Sequence, residues 1–350
     1  MYSRQISDIP EKLIEKGKAH FGTFNSIPKR IDIKGLRAPY AGLPIPTFLS
    51  KLRIKSRLIF FFKTDKYIGL TEFFDFKIIG IAQFVFWNKE SGKKNAYHSF
   101  MPPRRRFVPI KTTEGSCTSF NKMRHIRISW GRKHQHLSLR FHLKGDDVRQ
   151  NTEGFIASPL QDQMHRDFLF VNPSPTSSRC SATWFTCMQT RGVIKVEGEG
   201  KDESTGLAVM LLNRAYHKFH SITNTVCGLG NIDNKNITFV LKASTLDAAD
   251  SNSYNDNILI VNGEETTLPP VYMTHSFGME KNWIIQDTES MVDLTFRPLS
   301  IDKHLFNIIT LRDFSFSCYG VFDGVLLTKN NEKIILKNFP GILNNNSMRL

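Results

Sequence analysis

The sequence predicts an all-β fold, a barrel or sandwich in two strand-rich halves. Three observations carry this. Short apolar stretches alternate with polar residues at a period of two, turn residues recur between them at even spacing, and no long amphipathic helix interrupts the pattern. The chain has 350 residues, 40% of them hydrophobic and 28 of them phenylalanine, so a sizeable core is affordable and disorder is excluded for most of it.

Residues 1–45 read as an extended arm with one short helix, Pro10 near its start and Gly17 at its end. Residues 46–200 form the first strand-rich domain. The stretch 57–87, with the unbroken run Leu58–Phe62, reads as successive strands, and "NKESGKK" (88–94) as a polar turn. The clearest hairpin is 123–145. Ile126, Ile128 and Trp130 alternate with polar residues, Gly131 turns the chain, and Leu137, Leu139, Phe141 and Leu143 alternate on the way back. "NPSPTSSRCS" (172–181) is a loop. Residues 201–350 form the second domain, in which "VNGEE" and "KNNEK" supply turn chemistry between strands.

Charge divides unevenly. Residues 1–150 carry 30 Lys and Arg against 11 Asp and Glu, a net +19, whereas residues 151–350 carry 17 against 21, a net −4. A basic half attracts anionic partners such as a phospholipid surface or an acidic protein. The five cysteines are scattered without a C-x-x-C pair, which fits a reducing compartment; the N-terminus lacks the apolar core of a secretory signal, and no apolar run approaches the ~18 residues of a membrane span. A cytoplasmic protein is expected. The G-x-S-x-G elbow, P-loop, Rossmann fingerprint and H-E-x-x-H are all missing, so standard hydrolase, kinase and dehydrogenase classes fall away and no cofactor is expected.

Several motifs in order resemble a large bacterial family, domain of unknown function 2804. They are "LPIPTFLSKLRIKSRLIFFF" (43–62), "YIGL" (67–70), "FWNKESGK" (86–93), "GVIKVEGEG" (192–200) with "GLAVMLLNRAYHKF" (206–219), "NDNILIVNGEETTLPPV" (255–271), "VDLTFRPL" (292–299) and "YGVFDGVLLTKNNEKIIL" (319–336). That family is in turn similar to carotenoid-hydratase-like proteins. The resemblance implies two calycin or lipocalin-like antiparallel barrels in tandem, and a barrel mouth or inter-barrel cleft for a small apolar or amphipathic molecule. Some relatives perform hydration, cyclisation or cycloaddition, and non-hydrolytic isomerase-like or hydratase-like chemistry is the corresponding expectation here. This chain departs from the pattern. The family's central strand usually ends Asp-Trp-x-Arg-Gly-Tyr-Trp-Pro; here Arg214 and Tyr216 are kept, but the carboxylate position is Leu211 and the tryptophans are Leu212 and His217.

The candidate residues follow. Arg214 and Tyr216 lie two apart on a strand and so share a face. With Asn224 they make a candidate ligand-binding cluster, in which Arg214 holds an anionic head group. Asp293 fits a position the family often keeps and faces either solvent or a lumen. The Phe-rich strands 58–62 and 73–86 are expected to line the apolar part. His217 and His220 are weaker acid–base candidates. His134 and His136 form H-x-H, but they share an outward face with Arg127 and Arg140, whose charge lowers the affinity for a divalent metal, and no carboxylate is expected near, so no metal site is expected. That face, with Arg104 and Arg106 of "PPRRRF", is instead a candidate for an anionic surface such as a membrane. The basic tract is short and lacks interleaved aromatics, which argues against nucleic acid. Glu72 and Asp75, inside "TEFFDF", read first as a turn between strands.

Overall fold

The computed structural model describes residues 2–40, 46–102, 107–147, 149–160, 163–308 and 311–349. Of these, 63% are in strands and 1% in helix, the one helix being Thr47–Leu52. Apart from a two-stranded hairpin in the arm, the strands form two large sheets, antiparallel except where Ile6–Ser7 runs parallel to Gly22–Phe24.

The first sheet runs in space from Lys94–Met101 through Gly80–Asn88, Tyr67–Asp75, Ile54–Lys63, Gly200–Tyr216 and Cys180–Val196 to Thr152–Pro159, His136–Leu143, Arg124–Gly131 and Glu114–Phe120. Cys180–Val196 organises it. One of its edges pairs with Gly200–Tyr216 along its whole length; the other pairs first with Arg166–Pro173 and then with Thr152–Pro159. The sheet curls into a nearly closed barrel. Phe84 and Phe141, from strands far apart in the sheet order, meet inside it with ring centroids 4.6 Å apart. Its interior is filled by Phe60, Phe62, Phe73, Phe86, Trp130 and Trp184.

The second sheet runs Glu264–Thr267, Ile258–Val261, Lys235–Ser244, His220–Ile232, Lys333–Arg349, Leu311–Leu327, Val292–Ile308, Trp283–Gln286, Tyr272–His275, and makes a half-barrel around Phe239, Phe296, Phe322 and Phe339. The chain passes from the first sheet to the second between Tyr216 and His220; the sequence placed the divide near 200.

The two sheets pack face to face, and the run Leu58–Phe62 shows why. A strand with only one buried face alternates, whereas an unbroken apolar run has both faces covered. Leu58, Phe60 and Phe62 fill the first barrel, while Ile59 and Phe61 enter a separate layer shared with Leu229, Val240, Ile260 and Ile342 of the second sheet. Most side chains of the Phe-rich strands 58–62 and 73–86 therefore fill cores; Ile59 and Phe74 alone among them reach a cleft between the two sheets.

The arm differs from expectation. No helix forms there among the described residues. Ile14–Glu15 pairs with Lys18–Ala19 in a hairpin whose turn residues, Lys16 and Gly17, have φ of 47° and 81°. Two successive left-handed residues make the turn whose twist matches a hairpin, and an eight-residue stretch is too short to hold a helix by itself. The arm then closes one end of the first barrel with Leu13, Ile31 and Ile33. It also reaches the second sheet, where Arg4 donates from its backbone N to Thr267 Oγ1 at 3.1 Å and from Nη2 to the Asn257 carbonyl at 3.3 Å.

Candidate functional site

Where the two sheets part, a cleft opens, with about 800 Å³ of empty space, open solvent included. Each wall is built by period-two alternation. Arg57 and Ile59 come from one strand of the first sheet, Leu211 and Asn213 from its neighbour, and Ser181 and Thr183 from the next. The opposite wall is Thr223, Thr225, Val240, Lys242, Asp313 and Met348 from the second sheet. Ile59, Phe74, Leu211, Val240, Leu246 and Met348 make the apolar part.

Two ion pairs and one lone carboxyl set the electrostatics. Lys242 Nζ lies 2.7 Å from Asp256 Oδ2, and Asp256 also accepts from Asn172 Nδ2 at 2.5 Å and Thr183 Oγ1 at 2.9 Å. Burial by itself would lower the Lys242 pKa, but Asp256 and Asp247 outweigh it and hold the ammonium above its usual range. Arg57 Nε donates to Glu72 Oε1 at 2.5 Å, and Gln83 Nε2 donates to the other oxygen at 2.8 Å. Asp313 is the lone carboxyl. It is 5% exposed, and its Oδ1 has no partner among the described residues. Burial pushes its carboxyl up to about 7; Glu72 adds to the rise and Arg57 opposes it. At neutral pH this side chain can donate a proton into the cleft. His217 also lines the cleft. Burial, then Lys55 and Arg57, push it down to about 3, so its imidazole is neutral.

The residues singled out from sequence do not converge. Arg214 and Tyr216 share a face, as their spacing requires, but it is the face opposite to Leu211 and Asn213, and it points into the first barrel's closed end. The Tyr216 hydroxyl donates to the Ile33 carbonyl at 3.2 Å, and its ring packs edge-on to Tyr40 at 6.3 Å. Arg214 is 3% exposed; burial lowers its pKa, with Asp32 and Asp75 opposing. Tyr216 thus ties the arm to the barrel. Tyr216→Phe is expected to cost about 1 kcal/mol of unfolding free energy by urea titration, the net worth of one hydrogen bond. Asn224 faces the concave side of the second sheet and accepts from Asn345 Nδ2 at 2.5 Å. Asp293 is exposed and accepts from Gln286 Nε2 at 2.9 Å. Glu72 and Asp75 are not in a turn. Both lie in the strand Tyr67–Asp75, buried, with Arg57 and Lys77 as their respective partners.

Arg104 and Arg106 lie outside the described residues. Arg127 and Arg140 are cross-strand neighbours on the outer face, and His134 and His136 sit at the hairpin turn with rings 6.3 Å apart. A carboxylate is present on this face after all: Glu153 of the next strand lies 3.8 Å from His142 and 3.4 Å from Lys195. Among the described residues, no three histidine, cysteine or acidic side chains are grouped as a metal would need.

The four residues that matter most in the cleft, Arg57, Lys242, Asp256 and Asp313, were not singled out from the sequence. Asp313 begins "DFSFS", whose Asp-Ser-Ser face reads as a solvent face; here that face meets the other sheet.

Fold and cleft together define an all-β protein of two face-packed sheets with a cleft of mixed apolar and polar walls between them. The chain belongs to the family described as domain of unknown function (DUF2804), whose profile matches residues 4–350. No curated protein matches the sequence significantly. Among solved structures, a provisional AttH from Nitrosomonas europaea is 11% identical, with a TM-score of 0.47 over 89% of this chain and 98% of that one. Kievitone hydratase from Nectria haematococca is 10% identical, with a TM-score of 0.46 over 89% and 94%. CghA with Sch210972 is 9% identical, with a TM-score of 0.42 over 93% and 95%. No helix among the described residues is long and apolar enough to cross a membrane.

Proposed function

We propose that this protein binds a small amphipathic molecule in the cleft between its two sheets. The observation that carries the reading is the composition of the walls. An apolar surface from both sheets adjoins a partly buried Lys242–Asp256 pair and a carboxyl at Asp313 that is free to donate. Pockets of this kind hold an apolar body and orient it with a few placed polar groups. Leu211, where the resembling proteins carry an aspartate, lies on the cleft wall, and Asp313 brings a carboxyl to the same space from the opposite sheet. The chemistry this supports is proton transfer without hydrolysis. Asp313 would give its proton to a basic or unsaturated centre of the ligand and recover one from the adjacent carbon, an isomerisation, or from attacking water, a hydration.

The test is recovery of the ligand. Extraction of the purified protein followed by mass spectrometry is expected to yield a small molecule in near-stoichiometric amount. Asn213→Trp, which places an indole in the cleft, is expected to lack it while keeping the wild-type circular dichroism. Equal recovery from both proteins, or none from wild type, would overturn the reading.

A further inference from the structure

A second concavity lies on the inner face of the half-barrel, away from the cleft. Three adjacent strands, His220–Ile232, Lys333–Arg349 and Leu311–Leu327, present a grid there. In register across them, His220, Arg349 and Arg312 form the outermost row, Ile222, Ser347 and Phe314 the next, and Asn224, Asn345 and Phe316 the third. The space they line, with Met279, is about 1050 Å³ and open to solvent.

The outermost row is unusual. Three cationic or potentially cationic side chains stand directly opposite one another at strand spacings of about 4.8 Å. Like charges facing across strands destabilise a sheet. None of the three forms an ion pair with a described residue, and all are exposed. The outer face of the first barrel also sets Arg127 opposite Arg140, but there Glu153 stands on the strand beside Arg140, paired with His142 and Lys195. The inner row has no such carboxylate among the described residues, and it sits above half-buried apolar side chains. Below it, Asn345 is 4% exposed and gives its Nδ2 to Asn224, while its Oδ1 has no partner among the described residues. An unmet buried acceptor calls for a donor.

We propose that this concavity is a binding site for an amphipathic phosphate monoester. The phosphate bridges Arg312 and Arg349, with His220 at its flank, the apolar chain covers Ile222, Phe314 and Met279, and a ligand hydroxyl donates to Asn345 Oδ1. Phosphate fits the row better than carboxylate does. It carries up to two charges and three acceptor oxygens, enough for two guanidinium groups on neighbouring strands, whereas a carboxylate is satisfied by one. The site is separate from the cleft: Asp313 and Met348, the neighbours of Arg312 and Arg349 along their strands, point the other way.

The probe is octanoyl lysophosphatidic acid, which has the phosphate, the hydroxyl and the chain, held below its micellar concentration and titrated calorimetrically. Saturable binding is expected for wild type and, with the same affinity, for Asn213→Trp. The double variant Arg312→Ala/Arg349→Ala, whose exposed side chains the fold does not need, is expected to bind about tenfold more weakly or worse, the loss of charge-assisted hydrogen bonds. Octanoyl glycerol, which lacks the phosphate, is expected not to bind over the same range. Unchanged affinity in the double variant, or absence of binding in wild type, overturns the proposal. Loss of binding in Asn213→Trp alone overturns it as well, by placing the probe in the cleft.

Discussion

Arg57→Met is expected to lower the unfolding free energy at neutral pH by about 3–5 kcal/mol, the cost of leaving one member of a buried ion pair without the other. Glu72 has only 6% of its side chain exposed, and Arg57 Nε is the only positive charge bonded to it among the described residues. Methionine keeps most of the bulk of the arginine stem, so the loss reports the charge rather than a cavity. The second step of the experiment separates the two explanations. Glu72→Gln placed on Arg57→Met should recover most of the loss, because a neutral amide can still bond with Gln83 and Asn344 around it. The measurement is urea unfolding of the four proteins of the cycle with unchanged m-values. A cost below about 1 kcal/mol for Arg57→Met would mean that the pair contributes as little as an exposed one. The pair is tied to the second sheet, since Arg57 Nη2 also donates to Asn344 Oδ1 at 3.2 Å. Its loss should therefore loosen the floor of the cleft as well as the barrel.

The elements most legible in the sequence were those with one strong pattern. The hairpin 123–145 forms with Ile126, Ile128, Trp130, Leu137, Leu139 and Phe141 all buried, because strict alternation fixes which face is inside. The turn at Asn262–Gly263 has both residues at positive φ, the conformation this dipeptide favours. What sequence could not supply was the partner of each outward face. Alternation along "NRAY" puts Arg214 and Tyr216 together and Asn213 apart from them, but it does not say which side is the barrel and which the cleft. A polar face covered by a second sheet has the same composition as one covered by water. That is why Asp313, Ser315 and Ser317, all nearly buried, were passed over. The short arm hairpin was missed because two residues per strand carry no periodicity.

Asp313→Asn is expected to remove a pH dependence from stability and to make the protein more stable in alkaline solution. The folded carboxyl titrates near 7, against the 3.8 of an unperturbed aspartate. Between those values the folded chain holds a proton that the unfolded chain has lost. Stability therefore falls as pH rises through this window, and the loss is complete above about 7. The displacement corresponds to on the order of 4 kcal/mol. Asparagine resembles the protonated carboxyl in shape and polarity and has no proton to lose. The two proteins should match near pH 4 and diverge steadily, with the variant ahead at pH 8. Other groups drop out of the comparison. Asp247, raised by burial to about 6, acts in the same direction as Asp313, and His217, lowered to about 3, acts in the opposite one, stabilising as pH rises toward 6.5; both titrate alike in the two proteins. A difference that stays constant from pH 4 to pH 8 would show that Asp313 is ionised throughout, and the proton donor of the proposed function would be lost with it. The expected divergence means that above neutrality the fold keeps a carboxylate in a place that disfavours its charge. Such a cost is typical of a residue retained for what it does to a ligand rather than for what it adds to stability. The ligand recovered from the cleft should accordingly be held more firmly below pH 7, where Asp313 still carries the proton it donates.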